Sequence, residues 1–126
     1  MTMTLEDELT SAAAMGDAKR VEYLLQTGAD VNGVNCFGRT ALQVMMMGSA
    51  SVARLLLARG ADPNVTDMRT GTTPLHDAAR AGFVDTVQIL VHSLADPNAR
   101  DNTDCRPVDL ARQCGHSDVA TFLESL

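Results

Sequence analysis

Apolar positions in this 126-residue chain recur in short blocks with helical spacing, and each block is flanked by polar positions. Val21 and Leu24 share one face of a helix predicted over residues 18–27, and the same spacing predicts helices over residues 84–92 and 118–126. The residues predicted to face inward in these three helices are Ala18, Val21, Leu24, Leu25, Val84, Val87, Leu90, Val91, Val119, Phe122 and Leu123. Helices this short must bury their apolar faces against one another, so the pattern predicts an all-α chain.

One segment, Thr73–Gly82, reads Thr-Pro-Leu-His-Asp-Ala-Ala-Arg-Ala-Gly, which is the pattern typical of an ankyrin repeat. Thr73 is suited to cap a helix, and Pro74 is suited to its first position, where the missing N–H removes no hydrogen bond. Gly82 is suited to end the helix in a left-handed conformation. The segment therefore predicts a short capped helix that needs neighbouring copies on either side.

A loop signature recurs three times along the chain, at residues 28–32, 60–64 and 94–98, each time with Ala-Asp and a closing Asn. The closing Asn residues are 32 and then 34 positions apart, which gives a period of about 33 residues, the ankyrin value. Three loops separate four helix pairs, so we predict one all-α ankyrin-repeat solenoid domain over residues 1–126. Its helix-turn-helix repeats, joined by β-hairpin-like loops, are expected at about 5–32, 33–64, 65–98 and 99–126.

The four repeats differ from one another at three predicted places. Repeat two lacks one residue between Ala41 and Gly48, which predicts a first helix of a single turn. Repeat three has one extra residue in its hairpin, near 68–70. Leu94 stands where the other two loops have Gly, so a left-handed Leu94 is expected to be strained by roughly 1–2 kcal/mol.

The charge balance indicates the kind of partner. A formal net charge of −6 and a pI near 4.8 argue against nucleic acid or an anionic membrane and favour a basic protein surface. The acidic start of the chain argues against a signal peptide, and no apolar run has the length of a membrane span. Three cysteines at scattered spacing favour reduced thiols in the cytoplasm or nucleus.

No pattern in the sequence predicts an enzyme, a cofactor or a metal site. His76, His92 and His116 lack the paired cysteine or histidine spacing of a metal site, and no nucleophile has a base nearby in sequence. His76 has a structural role in the Thr-Pro-Leu-His turn, where its ring can bond to the backbone of a neighbouring repeat. We therefore expect function to reside in a protein-binding surface.

Two groups of residues are candidates for that surface. Asp77 and Arg80 are three residues apart on one predicted helix, so they form either a solvated pair or an acid that Arg80 holds in place for a partner. Met45, Met46 and Met47 follow one another in the shortened helix. Three consecutive residues cannot all face inward from one helical turn, so at least one is expected at the surface.

Two segments of repeats two and three carry a closer resemblance. Residues 38–49, which include Gln-Val-Met-Met-Met-Gly, and residues 76–87, which begin His-Asp-Ala-Ala-Arg, resemble the small four-repeat ankyrin inhibitors of cyclin-dependent kinases 4 and 6. The resemblance implies a monomer in the cytoplasm and nucleus that clamps the kinase beside its ATP cleft. Such binding would distort the kinase, oppose D-type cyclin and restrain G1-to-S progression, as a tumour suppressor does.

The resemblance also implies which residues contact the kinase. They are Phe37, Gln43, Val44, Met45, Met46 and Met47 from repeat two, and Asp67, His76, Asp77, Arg80 and Asp85 from repeat three. Asp77 is expected to supply the main charge contact, with Arg80 supporting it. Lys19 and Arg20 depart from the family pattern, which leaves open the contribution of repeat one and the preference between the two kinases.

A function of another class stays open on the residues alone. A general ankyrin adaptor, for example one that binds a transcription factor, would have the same fold and the same absence of catalytic patterns. It would have no reason to shorten repeat two or to carry three consecutive methionines.

Overall fold

A computed structural model describes residues 3–126, so residues 1 and 2, where the predicted domain begins, lie outside the described residues. Eight α-helices form the secondary structure over that range, which contains no strand. The helices are α1 (Leu5–Ala14), α2 (Ala18–Thr27), α3 (Ala41–Val44), α4 (Ala50–Ala58), α5 (Pro74–Ala81), α6 (Val84–His92), α7 (Pro107–Gln113) and α8 (Ser117–Glu124). None of them combines the length and apolar character that a membrane span requires.

The helices fall into two compact units. The first unit extends to Asp62 and contains α1–α4, and the second spans Pro63–Leu126 and contains α5–α8. In the first unit α1 packs against α2 and α3, and α2 packs against α4; in the second, α5 packs against α6 and α7, and α8 packs against α6 and α7. Each unit thus consists of two stacked helix pairs, which confirms the predicted ankyrin architecture.

A hydrogen bond from the N-cap N–H to the N3 side chain begins the first helix of every repeat, and in the first three repeats the hydroxyl of a Thr N-cap completes a capping box. The N-cap and N3 residues are Thr4 and Asp7, Thr40 and Gln43, Thr73 and His76, and Arg106 and Asp109. Each N3 side chain accepts a hydrogen bond from the N-cap backbone N–H, at 2.8 Å for Gln43 and 3.0 Å for His76. The N3 residue can therefore be Asp, Gln or His as long as it accepts a bond from the N-cap N–H.

The buried face of α6 is placed differently from the predicted one. Val87 and Leu90 are fully buried, as predicted, but Val84 and Val91 are only half-buried, and Thr86 is buried instead. At about 100° per residue, Val84 and Val91 lie about 120° and about 100° from Leu90 on one side, whereas Thr86 lies about 40° from it on the other side. Leu90 is near the centre of the buried arc, and the two half-buried valines are at its edge.

Of the other residues predicted to face inward, most are buried and two are only half-buried. Val21, Leu24, Leu25, Val119 and Leu123 are buried. Ala18 and Phe122 are only half-buried. The bounds of α2 and α6 agree with the prediction, and α8 begins and ends slightly earlier than predicted.

The shortened helix of repeat two is confirmed, because α3 has only four residues. Met45 leaves the helical conformation with φ −55° and ψ 155°, and the backbone N–H of Met46 then donates to the carbonyl of Ala13 at 2.9 Å. A hydrogen bond to the end of α1 thus takes the place of the missing turn.

Each hairpin-like loop is closed by two backbone bonds at its first residue and by the side chain of that residue. Asn35 N–H donates to the carbonyl of Arg39, and the equivalent bond in repeat three joins Asp67 to Thr72. The bond in repeat three spans one residue more than the one in repeat two, which confirms the predicted insertion. In repeat four the equivalent bond again closes the shorter loop, residues 101–105.

The Asn that closes the recurring loop ties each loop to the next one in the same unit. Asn32 Nδ2 donates to the carbonyl of Gly60 at 3.0 Å, and Asn32 Oδ1 accepts from Asp62 N–H at 2.8 Å. Asn64 makes the same two bonds to the loop 94–98, at 3.0 and 2.7 Å. The amide donates and accepts at once, which explains why Asn recurs there.

Leu94 adopts the predicted left-handed conformation, with φ 73°, where Gly60 has φ 90°. Its side chain is 83% exposed and so gains little from burial. We expect Leu94→Gly to raise the free energy of unfolding by about 0.5–1 kcal/mol, because the relief of strain exceeds the added entropy of the unfolded chain. Chemical denaturation of both proteins measures the difference.

The reverse substitution, Gly60→Leu, is the matched control, because no atom lies within 4 Å of a side chain added there. It should lower stability through backbone strain alone. A clear loss of stability in Leu94→Gly would show that the Leu94 side chain contributes more than its conformation costs.

Candidate functional site

The three consecutive methionines of the first unit have three different environments. Met45 is buried at 3% exposure, Met47 is half-buried, and Met46 is 50% exposed. The Met46 side chain lies over Gly16, which follows the C-cap residue of α1. Because Met46 N–H is bonded to Ala13, its position is fixed by the backbone of α1. The prediction that at least one methionine reaches the surface is confirmed, and Met46 offers the most surface.

Two further candidates of repeat two lie on α3. Gln43 is half-buried, and its Oε1 accepts the N–H of Thr40 at 2.8 Å as the N3 member of the capping box. Val44 is also half-buried. The carbonyl end of the Gln43 amide is therefore occupied by the fold, and only its NH₂ end remains for a partner.

Phe37 lies at the tip of the hairpin-like loop and is 71% exposed. Asn35 Oδ1 holds the loop by accepting the N–H groups of Phe37 at 2.9 Å and Arg39 at 3.1 Å. An open cleft of about 260 Å³ adjoins the ring, between this loop and the exposed side of α1. The other residues lining it are Met3, Asp7, Thr10, Ser11, Asn35 and Cys36.

Sequence reasoning assigned none of the α1 residues of this cleft to a site. The one sequence feature that pointed to the cleft is the pair of hydroxyl residues, Thr10 and Ser11, directly before three consecutive alanines in α1. It is weak, because Thr10 Oγ1 donates to the carbonyl of Asp7 at 3.0 Å and so has a local structural partner.

His76 of the second unit is fully buried, and its ring is bonded at both nitrogens. Nε2 donates to the carbonyl of Cys105 at 2.8 Å, so Nδ1 is the acceptor for Thr73 N–H at 3.0 Å and for the Thr73 hydroxyl at 2.9 Å. The ring therefore bonds the backbone of the neighbouring repeat, as predicted. Met45 and His76 offer a partner almost no side-chain surface in this conformation, and they can act only through the residues beside them.

Asp77 lies in the first turn of α5, directly after His76, and its side chain is 32% exposed. The nearest cation is Arg80, with Nη1 3.8 Å from Asp77 Oδ1, which is beyond hydrogen-bond distance. Burial raises the pKa of the Asp77 carboxyl above its usual range, the Asp67 carboxylate adds to that rise, and Arg80 opposes it only in part. The Thr72 hydroxyl also opposes the rise through a hydrogen bond, so Asp77 is a partly dehydrated carboxylate whose nearby cation, Arg80, is not hydrogen-bonded to it.

The two other acids predicted for the site, Asp67 and Asp85, lie on different elements of the second unit. Asp67 is half-buried in the hairpin-like loop, where its Oδ1 accepts the N–H groups of Arg69 at 2.8 Å and Thr70 at 3.3 Å. Asp85 is exposed in the first turn of α6, the second helix of the repeat. The loop and α5 therefore bring Asp67 within electrostatic range of Asp77, whereas Asp85 belongs to a different helix.

The eleven predicted residues are thus divided between the two units. The first unit presents Phe37 and Met46, with Gln43, Val44 and Met47 partly exposed beside them. The second unit presents the acids and Arg80, which is exposed. One unit offers apolar surface and the other offers mainly negative charge.

Comparison with known proteins identifies close relatives. The family model described as three copies of ankyrin repeats matches residues 8–67, and the model of a single ankyrin repeat matches residues 70–102. Human cyclin-dependent kinase 4 inhibitor B is 54% identical over 120 residues, which cover 95% of this chain and 87% of that protein. The rat protein of the same name is 51% identical over 93% of this chain and 90% of its own length. Human cyclin-dependent kinase inhibitor 2A is 50% identical over 94% of this chain and 76% of its own length.

The raised pKa of Asp77 predicts how its charge affects stability. The folded protein binds the Asp77 proton more tightly than the unfolded chain, so the ionised carboxylate costs stability above its folded pKa. That cost disappears as the pH falls through the folded pKa toward the ordinary value of 3.8. We expect Asp77→Asn to melt at the same temperature as the original protein, or higher, at pH 7, with the difference shrinking toward pH 4.

Thermal melts monitored by circular dichroism between pH 4 and pH 7 measure this effect. Asp85→Asn is the matched control, because that acid is solvated and begins a helix in the same repeat. A fall of about 4 °C or more in Asp77→Asn at pH 7, equivalent to about 1 kcal/mol, would mean that the carboxylate stabilises the fold.

Proposed function

The chain belongs to the family of ankyrin-repeat cyclin-dependent kinase inhibitors, and from that premise we propose that it binds cyclin-dependent kinases 4 and 6 and inhibits them. Inhibition is a property of the relatives that the names of those proteins state. For this chain the proposal is supported by Asp77, the partly dehydrated carboxylate at the start of α5, which Arg80 approaches at 3.8 Å without a hydrogen bond. A basic side chain of the kinase would supply the directly hydrogen-bonded cation that Arg80 does not provide.

The proposed contacts combine charge with apolar surface. Asp77 forms the central ion pair, and Arg80 limits the repulsion between Asp77 and Asp67 while the site is empty. Met46 and Phe37 are exposed apolar side chains that gain affinity when a partner removes them from water. Methionine adapts its shape to a partner at small conformational cost, which suits it to a surface that must hold one particular kinase conformation.

Inhibition follows if the protein binds a distorted kinase more tightly than the active one. The kinase population then shifts toward the distorted form by the ratio of the two affinities. Where D-type cyclin prefers the active form, the two ligands oppose each other without sharing a site. The outcome in the cell is restraint of the transition from G1 to S phase.

The remaining features of the proposal follow from the same premise. The chain acts as a monomer and as one domain of residues 1–126, in the cytoplasm and nucleus, and it has no catalytic activity of its own. It needs no metal or cofactor. The general adaptor function is not favoured, because the relatives that match nearly the whole chain are named as kinase inhibitors.

Titration of monomeric cyclin-dependent kinase 6 by calorimetry tests the proposal directly. We expect sub-micromolar binding, weakened at least about 10-fold by Asp77→Ala, which corresponds to about 1.4 kcal/mol. Glu22→Gln removes a negative charge from an exposed position of α2 and so controls for net charge. It should leave the affinity nearly unchanged. A well-folded original protein that does not bind either kinase would refute the proposal.

The pH dependence of binding tests the role of the charge. Because the pKa of Asp77 is raised in the free protein, the carboxylate begins to be protonated at a higher pH than an ordinary Asp. Affinity should therefore fall in the original protein as the pH is lowered from 7 toward the ordinary Asp value of 3.8. In Asp77→Asn the affinity is already low, and that part of the pH dependence should disappear; equal slopes for both proteins would place the titrating group elsewhere.

A further inference from the structure

The hairpin-like loop of repeat four, residues 101–105, is tightly bonded within itself. Asp101 N–H donates to the carbonyl of Cys105 at 3.0 Å. Asp101 Oδ1 accepts the N–H groups of Thr103 and Cys105, both at 2.9 Å, and the Thr103 hydroxyl at 2.8 Å. Asp104 N–H also donates to the carbonyl of Asp101 at 2.9 Å, and a loop closed by five hydrogen bonds of this length is a firm support for whatever it contacts.

Asn102 joins this loop to the loop of repeat three in the same unit. Its backbone N–H donates to the carbonyl of Thr70 at 2.9 Å, and its side-chain Nδ2 donates to the carbonyl of Arg69 at 3.1 Å. Asn102 therefore donates to the carbonyl groups of Arg69 and Thr70. The N–H groups of the same two residues donate to the Asp67 carboxylate.

The packing at Gly71 gives a second sign of this contact. A Cβ atom at that position would overlap Asn102 Oδ1, and Gly71 also has φ 71°. The backbone of the repeat-three loop thus approaches Asn102 so closely that a side chain at residue 71 would push the two loops apart.

The same repeat-four loop is bonded to α5 as well. The carbonyl of Cys105 accepts Nε2–H of His76, the residue directly before Asp77. One rigid loop is therefore bonded to both segments that carry the candidate acids, to residues 69–70 beside Asp67 and to His76 beside Asp77.

We propose that Asn102 is a positioning residue for kinase binding, which acts by fixing the repeat-three loop so that the Asp67 carboxylate is held in its binding geometry. The proposal rests on the proposed function. Asn102 does not touch the kinase, and it contributes to affinity through Asp67. Repeat four thus supports binding without being part of the contact surface.

Amide hydrogen exchange measured by NMR on the free protein tests the positioning step alone. Asn102→Ala removes the side-chain donor, and the N–H groups of Arg69 and Thr70 should exchange roughly 3- to 10-fold faster, as expected for the loss of one hydrogen bond. Asn98→Ala, which removes another exposed amide side chain from the loop 94–98 at the end of repeat three, should leave these two rates unchanged. Unchanged rates in Asn102→Ala would overturn the proposal.

A double-mutant cycle against monomeric cyclin-dependent kinase 6 tests the link to binding. Asn102→Ala should weaken the affinity of the original protein roughly 3- to 10-fold and that of Asp67→Ala less than about 2-fold. Its effect in the Met46→Ala background should be the same as in the original protein. Circular dichroism melts of each variant show whether any change in affinity reflects unfolding.

The results of these experiments distinguish failure of the Asn102 proposal from failure of the proposed function. If Asn102→Ala weakens binding equally with and without Asp67, Asn102 contacts the kinase directly or acts on the whole unit, and the proposal is overturned. If the original protein does not bind the kinase, the proposed function and the binding role of Asn102 both fail. In that case the exchange rates still decide whether Asn102 orders the loop.

Discussion

The hydrogen bond between the N3 side chain and the N-cap backbone is the contact on which each repeat depends. The first helices have only four to ten residues, too few to be stable in isolation, so their ends must be satisfied before packing can hold them. Four chemically different pairs make this bond. Two of the N3 residues, Gln43 and His76, are directly adjacent to residues proposed to bind the kinase, Val44 and Asp77. The start of the helix and the placement of the binding residues are therefore set by the same bonds.

The loops between the helices transmit that order from one repeat to the next. Asn32 and Asn64 each bond the following loop within their unit, and Asn102 bonds the preceding one. An amide suits these positions because it donates and accepts, which an ionised carboxylate cannot do. The left-handed Leu94 shows that these bonds tolerate local strain, since its carbonyl still accepts the amide of Asn64.

Helix bounds and the departures from the repeat period could be predicted from the sequence, because capping residues, glycines and residue counts are local signals. The single turn of α3 followed from one missing residue, and the longer repeat-three loop from one extra residue. Which methionine is exposed could not be predicted, because that depends on the bond from Met46 to Ala13, a contact distant in sequence. Asn102 gave no signal either, since Cys36 and Met68 occupy the equivalent positions in the other loops and no pattern repeats there.

Partial burial of Asp77 has opposite effects on the free protein and on a complex. In the free protein the carboxylate has lost part of its hydration, and Arg80 is too far away to replace it fully. A partner that brings a cation to this position replaces the missing hydration, whereas a partner with a neutral or acidic group there removes still more water and gives nothing in return. The same dehydration therefore favours the correct partner and disfavours others. An exposed acid such as Asp85 has less of this discrimination, because water stabilises its charge in the free protein.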